Sequence, residues 1–475
     1  MRKTKIVITL GPSTATPIMI EKLIKRGVNV FRLNFSHGDH DIHAQSVLMI
    51  REASTALGKE VAILQDISGP KVRIGKIKGG LKLFKGDIVV LAKEGDESDT
   101  KVLDISYPAI IDMVHVGEEV FFADGTIRTK VVKKEPDRLH LRLLNDGELS
   151  SHKGVNFPHT KVEISAITAK DEVDLAWGAT HDIDIVALSF VQTKEDILKA
   201  KDIMISHDFS PMIISKIETG EALNNLEDIL AVSDGVMVAR GDLGAEFGVT
   251  KLPRIQKHII ATANALNKPT ITATQMLSSM KENPFPTRAE VSDIANAVYD
   301  GTDAVMLSDE TTIGKFPLEA VEVLHDTIKD VEVDYSYNKD FQTHDSSDAI
   351  AKAAVQLSSN LQKEALVAFT ISGYSAQSLS KYRPKENIYA VSHSLKTHRR
   401  LSLVWGIHPL FVMEEINNPT KLLHAFVRKL LDEKRIDKNK RFVVTMGDSG
   451  GKSGTTNIIR LLDREAIEMV LSYAL

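Results

Sequence analysis

Short apolar runs recur along most of the chain, and each is followed by a stretch in which apolar residues return every three or four positions. The runs cover residues 5–9, 28–32, 61–64, 183–188, 212–215, 235–239, 269–273 and 303–307. Their length and their content of Val, Ile and Leu predict buried strands, and the stretches between them predict amphipathic helices. Eight strands that alternate with helices predict a closed barrel of parallel strands with the helices outside, a (β/α)8 TIM barrel.

The alternation is interrupted between the third and the fourth run. From about Val72 to Ile164 the chain changes to short strands with alternating apolar positions, as in residues 81–84, 87–91 and 138–143. This pattern, with Gly, Asp and Asn between the strands, predicts an inserted all-β domain. An insertion at the C-terminal end of a barrel strand is well placed to act as a lid, and a passive decoration is the alternative.

A third unit begins after about Phe341. Helical stretches alternate there with apolar runs at residues 365–369, 388–391, 410–412 and 442–445. This order predicts an open α/β sheet whose ligands bind at the carboxyl ends of the strands. We therefore expect an α/β fold with a barrel domain at residues 1–70 and 166–340, an inserted β-rich lid domain at 71–165 and a C-terminal α/β regulatory domain at 341–475.

The composition excludes several classes of protein. The 475 residues carry 59 basic and 64 acidic side chains, a net charge of −5, so there is no general positive field to bind nucleic acid or an anionic membrane. The absence of cysteine excludes disulfides, thiolate metal sites and cysteine nucleophiles. No run approaches the roughly 20 apolar residues of a membrane span. We expect a cytoplasmic protein that has neither nucleic acid nor a membrane as a partner.

The fifth apolar run ends in a cation and a carboxylate, Lys216 and Glu218, and the sixth is followed by Asp242. Residues i and i+2 of a strand point to the same side, so Lys216 and Glu218 emerge together, with Asp242 at the end of the next strand. Two carboxylates and a lysine suit a divalent metal that holds an anionic substrate, as in phosphoryl transfer. A surface ion pair is the alternative.

Most of the other predicted strands also end in side chains that can do chemistry. These are Asn34 and Ser36, Asp66, Ser189, Thr274 with Gln275, and Ser308 with Glu310. Active sites of such barrels lie at the C-terminal face of the strands. The pattern therefore predicts one shared site.

Two loops of the C-terminal unit are rich in glycine and hydroxyl groups and precede predicted helices. They cover residues 370–376 and 447–456. Backbone amides at a helix N-terminus can hold a phosphate there, and an ordinary turn explains the same composition. The second loop lacks the spacing of a nucleotide-binding P-loop, because three residues rather than four separate Gly447 and Gly451.

Taken together, the motifs resemble pyruvate kinase over essentially the whole chain. The matching stretches are residues 29–38, 69–73, 213–218, 237–244, 272–277, 286–290 and 453–457. The chain opens directly at the first barrel strand, which is similar to bacterial members without an N-terminal extension. The resemblance implies the transfer of the phosphoryl group of phosphoenolpyruvate to ADP, giving ATP and pyruvate in the final step of glycolysis.

The resemblance also implies roles for the residues at the strand ends. Glu218 and Asp242 are expected to bind Mg²⁺, with Mn²⁺ as an alternative, and Lys216 and Arg32 to face the transferred phosphoryl group. The substrate carboxylate is expected at Gly241, Asp242 and Thr274. Thr274 and Ser308 are the candidates for protonating the enolate through ordered water.

Family contacts to the nucleotide match Asn34, His37, Arg73, Lys170 and the lid residue Asp124. A monovalent cation is held in many members by groups that match Asn34, Ser36, Asp66 and the carbonyl of Ile67. Those members have Glu where this chain has Lys71. A fixed ammonium can supply the charge of K⁺, so we expect activity without potassium, unless Lys71 is only a solvated turn residue.

Further expectations rest on the resemblance alone. Thr370, Ser372, Gly373 and Ser375 match the effector-phosphate loop of regulated members, which implies activation by a phosphorylated metabolite, and a homotetramer is expected. Two departures are Ile42, where an aromatic often lies near the nucleotide, and Asp309, either a new ligand or a solvated acid. The competing interpretations are a metal-dependent lyase or aldolase, and a sugar-phosphate sensor.

Overall fold

The structure is a computed structural model that describes residues 1–77, 79–94, 101–123, 125–158, 160, 164–361, 365–434, 441–447 and 456–472. Strands and helices are numbered separately in chain order. No helix within these ranges is long and apolar enough to cross a membrane.

Eight parallel strands close into a barrel, as the sequence predicts. They are β1 (Lys5–Thr9), β2 (Val30–Asn34), β3 (Ala62–Asp66), β12 (Ile185–Leu188), β13 (Met212–Ile217), β14 (Gly235–Ala239), β15 (Thr270–Ala273) and β16 (Ala304–Leu307). Their order around the barrel is β1-β16-β15-β14-β13-β12-β3-β2. Each strand begins and ends within two residues of its predicted bounds.

Helices connect the barrel strands and cover the barrel. They are α1 (Pro17–Lys25), α2 (His40–Leu57), α4 (Ala169–Ala179), α5 (Lys194–Ser206), α6 (Gly220–Asn224), α7 (Leu226–Val232), α8 (Arg240–Phe247), α9 (Leu252–Ala265), α10 (Arg288–Asp300), α11 (Asp309–Thr312) and α12 (Pro317–Val331). Short 3₁₀ turns lie at Ser278–Lys281 and Glu332–Asp334. Thr287 and Glu290 form a capping box at the start of α10, which satisfies backbone amides of its first turn.

Alternate residues of each strand form the interior of the barrel. One apolar cluster takes residues from all eight strands, among them Val7, Val30, Leu64 and Ile214. The neighbouring positions, such as Ile6 and Ile8, belong to a larger cluster shared with the helices. The strands are therefore buried on both faces, which explains why they appear in the sequence as continuous apolar runs.

The inserted domain follows β3 and returns to the barrel at α4. Its elements are β4 (Leu81–Leu83), β5 (Ile88–Ala92), β6 (Val102–Asp104), α3 (Ile110–Met113), β7 (Glu119–Phe122), β8 (Ile127–Glu135), β9 (Arg138–Leu143), β10 (Gly147–Leu149) and β11 (Val155–Asn156). A six-stranded sheet has the order β11-β7-β8-β9-β5-β6, and β10 pairs with β4. It has its own apolar core, which includes Val89, Val120 and Leu141.

The C-terminal domain is an open α/β sheet, again as predicted. Its elements are α13 (Ser346–Leu361), β17 (Ala365–Phe369), α14 (Tyr374–Lys381), β18 (Asn387–Ser392), α15 (Leu395–Arg400), a 3₁₀ turn (Leu401–Leu403), β19 (Ile407–Val412), α16 (Pro419–Asp432), β20 (Phe442–Gly447), β21 (Thr456–Leu462) and α17 (Arg464–Ser472). The sheet order is β19-β18-β17-β20-β21. The sequence analysis missed β21, which pairs antiparallel with β20.

A buried ion pair joins the C-terminal domain to the base of the barrel. Arg383 donates from Nη1 to Asp303 Oδ1 at 3.0 Å and from Nη2 to Oδ2 at 3.1 Å. The backbone amide of Trp405 donates to the same Oδ1 at 3.0 Å. Asp303 directly precedes β16, so the contact links the domain to the start of a barrel strand.

Candidate active site

The interior face of the barrel changes from apolar to polar at the C-terminal ends of the strands. Each polar residue lies two positions after an apolar residue of the interior cluster, so both point to the same side. The polar residues in these positions are Thr9 in β1, Arg32 in β2, Asp66 in β3, Ser189 after β12, Lys216 in β13 and Ser308 after β16. Strand alternation thus directs side chains from six strands toward one region.

Lys216 lies at the centre of this region. Its Nζ donates to Ser189 Oγ at 2.7 Å and lies 3.1 Å from Glu218 Oε1 and 3.3 Å from Asp66 Oδ1. Arg32 donates from Nε to the other oxygen of Asp66 at 2.6 Å. The side chain of Lys216 is 12% exposed and that of Glu218 is 2% exposed. The four charged groups therefore form one network that is largely shielded from water.

The network controls the protonation of its members. Burial alone would raise the pKa of Asp66, but Lys216 and Arg32 lower it below its usual range. Burial alone would lower the pKa of Lys216, but Asp66 and Glu218 raise it above its usual range. Burial raises the pKa of Glu218, and the charge of Asp242 adds to this effect while Lys216 opposes it. The lysine is therefore held as a cation.

Glu218 is fixed by a backbone group that the sequence analysis missed. The amide of Phe190 donates to Glu218 Oε2 at 2.7 Å. Phe190 has φ of 54°, in the left-handed region that non-glycine residues rarely adopt. The strained backbone turns this amide toward the carboxylate, and nothing in the sequence around residue 190 indicates such a conformation.

Asp242 lies in the first turn of α8, next to the second lysine of the region. Lys71 Nζ is 3.4 Å from Asp242 Oδ1. The amide of Gly241 donates to Thr274 Oγ1 at 3.0 Å, so that hydroxyl keeps its own hydrogen for another acceptor. The structure thus brings together Gly241, Asp242 and Thr274, the three residues predicted around the substrate carboxylate.

Arg240 is the second residue that the sequence analysis did not single out. Its guanidinium donates to the carbonyls of Ala273, Thr274 and Gln275, including a bond of 2.6 Å to Thr274, and Nη1 donates to Asp293 at 2.6 Å. Thr274 and Gln275 have φ of 69° and 54°. Arg240 therefore holds a strained turn that presents the Thr274 hydroxyl. An arginine directly after an apolar run was the available signal.

Ser308 lies at the end of β16 and is positioned by a buried carboxylate. Its amide donates to Glu310 Oε2 at 2.8 Å, and the amide of Leu277 donates to Oε1 at 2.9 Å. Asp309 is 62% exposed and lies 3.3 Å from Lys281. This geometry favours the interpretation of Asp309 as a solvated loop acid.

The residues predicted to contact the nucleotide lie on several elements: Asn34 ends β2 and His37 follows it, Arg73 follows β3, and Lys170 lies in the first turn of α4. Asn34 Oδ1 accepts from the amide of Ser36 at 3.2 Å, and His37 is exposed. Lys170 donates to the carbonyl of Phe35 at 2.9 Å and pairs with Asp174 at 2.6 Å. Arg73, on the lid side, donates to the carbonyl of His152 at 3.0 Å.

The predicted lid acid, Asp124, lies outside the described residues. Ile42 occupies the position where an aromatic residue often lies in the family. It is on α2 and is 55% exposed.

The region predicted for a monovalent cation is occupied by other partners. Asp66 is paired with Arg32 and Lys216. The carbonyl of Ile67 accepts from Ser189 Oγ at 2.7 Å. Two fixed cations therefore already neutralise the carboxylate of this region.

The predicted effector loop lies between β17 and α14. The amide of Gly373 donates to Thr370 Oγ1 at 3.0 Å, and Gly373 has φ of 99°, which favours glycine. The hydroxyl of Ser375 is bonded to that of Thr456, and Ser372 is exposed. Most of the second candidate loop, residues 448–455, lies outside the described residues.

The carboxylates at the mouth of the barrel supply only some of the ligands that a divalent metal requires. Within the described ranges, no group of three or more His, Asp or Glu side chains offers a metal a complete protein shell. Glu218 and Asp242 offer hard carboxylate oxygens, which suit Mg²⁺ and leave coordination positions for substrate oxygens. The fixed orientation of Glu218 by Phe190 is compatible with this use.

Comparison with known proteins agrees with the geometry. The family described as "Pyruvate kinase, barrel domain" matches residues 1–321, and "Pyruvate kinase, alpha/beta domain" matches residues 348–462. A pyruvate kinase of Staphylococcus epidermidis is 40% identical over 470 residues, which cover 97% of this chain and 80% of the relative. Pyruvate kinase 2 of Synechocystis sp. is 40% identical over 477 residues, covering 99% and 80%. The predicted resemblance is thus confirmed: the chain belongs to the pyruvate kinase family and is a phosphotransferase.

Proposed function

We propose that the barrel mouth transfers the phosphoryl group of phosphoenolpyruvate to ADP, giving ATP and pyruvate. The observation that carries this proposal is the environment of Lys216, a shielded lysine kept charged by two carboxylates. A fixed cation in a water-poor site is what the transfer of an anionic group requires. The alternative hypothesis of a metal-dependent lyase accounts for the same carboxylates, but it does not account for the family match over both domains.

Lys216 and Arg32 act on the phosphoryl group in flight. Both side chains point into the barrel mouth. Arg32 contacts Oδ2 of Asp66, and Lys216 contacts Oδ1. Positive charge aimed at the equatorial oxygens of the phosphoryl group stabilises the transition state without reorganisation of water. Ser189 and Asp66 fix the ammonium of Lys216 in place for this role.

Glu218 and Asp242 hold the divalent metal, for which Mg²⁺ is the best match and Mn²⁺ an alternative. When bound, the metal neutralises charge on the substrate oxygens and on the transferred group. Glu218 must be ionised to bind it, and burial raises the pKa of this carboxyl. Metal affinity is therefore expected to fall as the solution becomes more acidic.

The remaining residues orient the substrates and deliver a proton. Gly241, Asp242 and Thr274 receive the substrate carboxylate, with the Thr274 hydroxyl as donor. Thr274 and Ser308 offer hydroxyl groups to a water that protonates the methylene carbon of the enolate. Asn34, His37, Arg73 and Lys170 receive ADP on the side of β2 and β3.

Lys71 replaces the potassium ion in this proposal. Its ammonium lies 3.4 Å from Asp242, and Asp66 has two cationic partners of its own. Lys71 lies on the chain segment that leads from the barrel into the inserted domain. Its ammonium supplies the positive charge that a potassium ion brings to other members of the family. Regulation by a phosphorylated metabolite at Thr370, Ser372, Gly373 and Ser375, and a homotetrameric assembly, remain predictions.

The test is ATP formation from phosphoenolpyruvate and ADP in the presence of Mg²⁺. Replacing Lys216 by Met is expected to lower kcat by about 10³-fold or more, as for other groups that stabilise transition-state charge. Lys25→Met removes an exposed lysine on α1 and serves as the matched control. Turnover of Lys216→Met close to that of the control would refute the role of Lys216.

A further inference from the structure

A cavity of about 410 Å³ lies between the barrel and the inserted domain. Its apolar walls include Val72 and Phe157, from the two chain segments that cross between the domains, and Phe190 and Phe247 from the barrel. Polar and apolar groups contribute about equally to the walls, and a volume of this size is typical of small-molecule sites. We call it the hinge cavity, because both crossings line it.

The hinge cavity is distinct from the proposed active site. Among the described residues that line the cavity, two also belong to the proposed active site, Lys71 and Phe190. Phe190 separates the two: its amide faces Glu218, while the residue also lines the cavity. The proposed reaction therefore leaves the cavity without a role.

The polar groups of the cavity favour a positively charged ligand. Glu246 on α8 and Glu221 on α6 both line it. The carboxylate of Glu246 accepts a hydrogen bond from the amide of Gly220 at 3.3 Å, and no lysine or arginine in the described ranges forms an ion pair with it. Lys71, the cation on the cavity wall, lies beside Asp242 instead. A shielded carboxylate without a countercharge is costly, and a cationic ligand would relieve that cost.

The ionisation of Glu246 is sensitive to pH near neutrality. Burial raises the pKa of Glu246 to about 7, the Gly220 amide opposes this shift, and the charge of Asp242 one turn earlier on α8 adds to it. Among the described residues, Glu221 and Lys71 are the other charged groups on the cavity wall. A ligand cation that pairs with Glu246 should therefore bind more tightly as the pH rises from 6 to 8.

We propose that the hinge cavity binds a small organic cation, an apolar body that carries an ammonium or amidinium group, with Glu246 as its counter-ion. The aromatic walls contact the body of the ligand, and the charged group lies against the carboxylates. Because both crossings contribute walls, the occupied cavity also constrains the position of the lid.

The test uses benzamidine as the probe, added to the full-length chain at pH 8 and followed by isothermal titration calorimetry. Benzamide and benzoate are the neutral and anionic comparisons of the same shape. We expect benzamidine to bind at least tenfold more tightly than either. From pH 8 to pH 6 its affinity should fall by about tenfold, because the ionised fraction of Glu246 falls from about nine tenths to one tenth.

Variants locate the binding site. Glu246→Gln should weaken benzamidine binding by about tenfold or more, and Glu227→Gln, an exposed residue of α7 outside the cavity lining, should leave it unchanged. Asn224→Trp, which fills the cavity from its exposed edge, should abolish binding. Should Glu246→Gln fail to fold, the Asn224→Trp variant and the pH dependence decide.

Three results would overturn the proposal: no heat of binding at millimolar benzamidine, equal binding by wild type and Glu246→Gln, or tighter binding of benzoate. None of these depends on phosphoryl transfer, so the inference can fail while the proposed function stands.

Discussion

Two buried lysines at opposite ends of the barrel have opposite electrostatic properties. Lys216 lies at the C-terminal mouth beside Asp66 and Glu218, which raise its pKa. Lys5 lies at the other end, where it donates to the carbonyl of Ile407, and burial lowers its pKa to about 7. Arg2 and Lys3 add positive charge around Lys5, and Glu332 only partly offsets it.

The comparison shows that burial alone does not determine the charge of a lysine. A lysine that is surrounded by carboxylates, such as Lys216, remains a cation. A lysine that is surrounded by carbonyls and other cations, such as Lys5, loses its proton more readily. The mouth is thus built to keep a charge that folding alone would disfavour, which is typical of a functional site.

After Lys216→Met, the largest expected effect comes from removing the carboxylate that Lys216 and Arg32 share. Asp66→Asn should lower kcat by about 10²-fold and the free energy of unfolding by about 3 kcal/mol, because two buried cations lose a partner. It should also lower the pKa of Lys216 and move the alkaline limb of the kcat profile to lower pH. Turnover measured from pH 7 to 10 checks this shift.

Asp184→Asn is the matched control for that variant. Asp184 is a buried aspartate at the opposite end of the barrel, where it pairs with Arg51 at 2.6 Å. Its replacement should lower stability without moving the pH profile of kcat. If both variants show the profile of the wild type, Asp66 does not maintain the charge of Lys216.

The second effect concerns the other end of the barrel. The pKa of Lys5 is lower in the folded state, so the unfolded state binds more protons and the contribution of Lys5 to stability rises between about pH 7 and 10. The unfolding free energy of the wild type minus that of Lys5→Met should rise by about 1 kcal/mol per pH unit from 7.5 to 9.5. Urea unfolding at three pH values measures it.

The same difference for Lys25→Met should be flat, because that lysine is exposed. The difference for Lys216→Met should also be flat over this range and should fall only at higher pH: the pKa of Lys216 is raised on folding, so its contribution is full below the ordinary lysine pKa of about 10.4 and is lost above it. Parallel curves for Lys5→Met and Lys216→Met would contradict the contrast between the two ends.

The smallest effect concerns Lys71, a lysine at the mouth that is only partly buried. Rates in potassium chloride and in tetramethylammonium chloride should agree within about twofold, because the ammonium already supplies the charge. Lys71→Glu should make the rate depend on potassium, whereas Lys76→Glu, an exposed neighbour, should not. Strong potassium activation of the wild type would show that Lys71 does not replace the ion.

The sequence predicts the barrel closely because both faces of its strands are buried, so the apolar runs mark the strands to within two residues. It also predicts that Lys216 and Glu218 lie together, since alternation along one strand is a local property. The contacts of Arg240 with three carbonyls of another loop and the left-handed conformation of Phe190 depend on tertiary packing. The apolar run marks the position of Arg240, but no local pattern indicates its partners or the conformation of Phe190. The hinge cavity is hidden for the same reason.

The ion pair between Arg383 and Asp303 has a mechanical consequence. Asp303 precedes β16, and Ser308 follows it at the mouth. Both edges of this strand are hydrogen-bonded, to β1 and to β15, so it moves as a stiff rod rather than bending. A rotation of the C-terminal domain therefore either strains the pair or is passed along β16 toward Ser308. One strand thus couples the far domain to the mouth of the barrel.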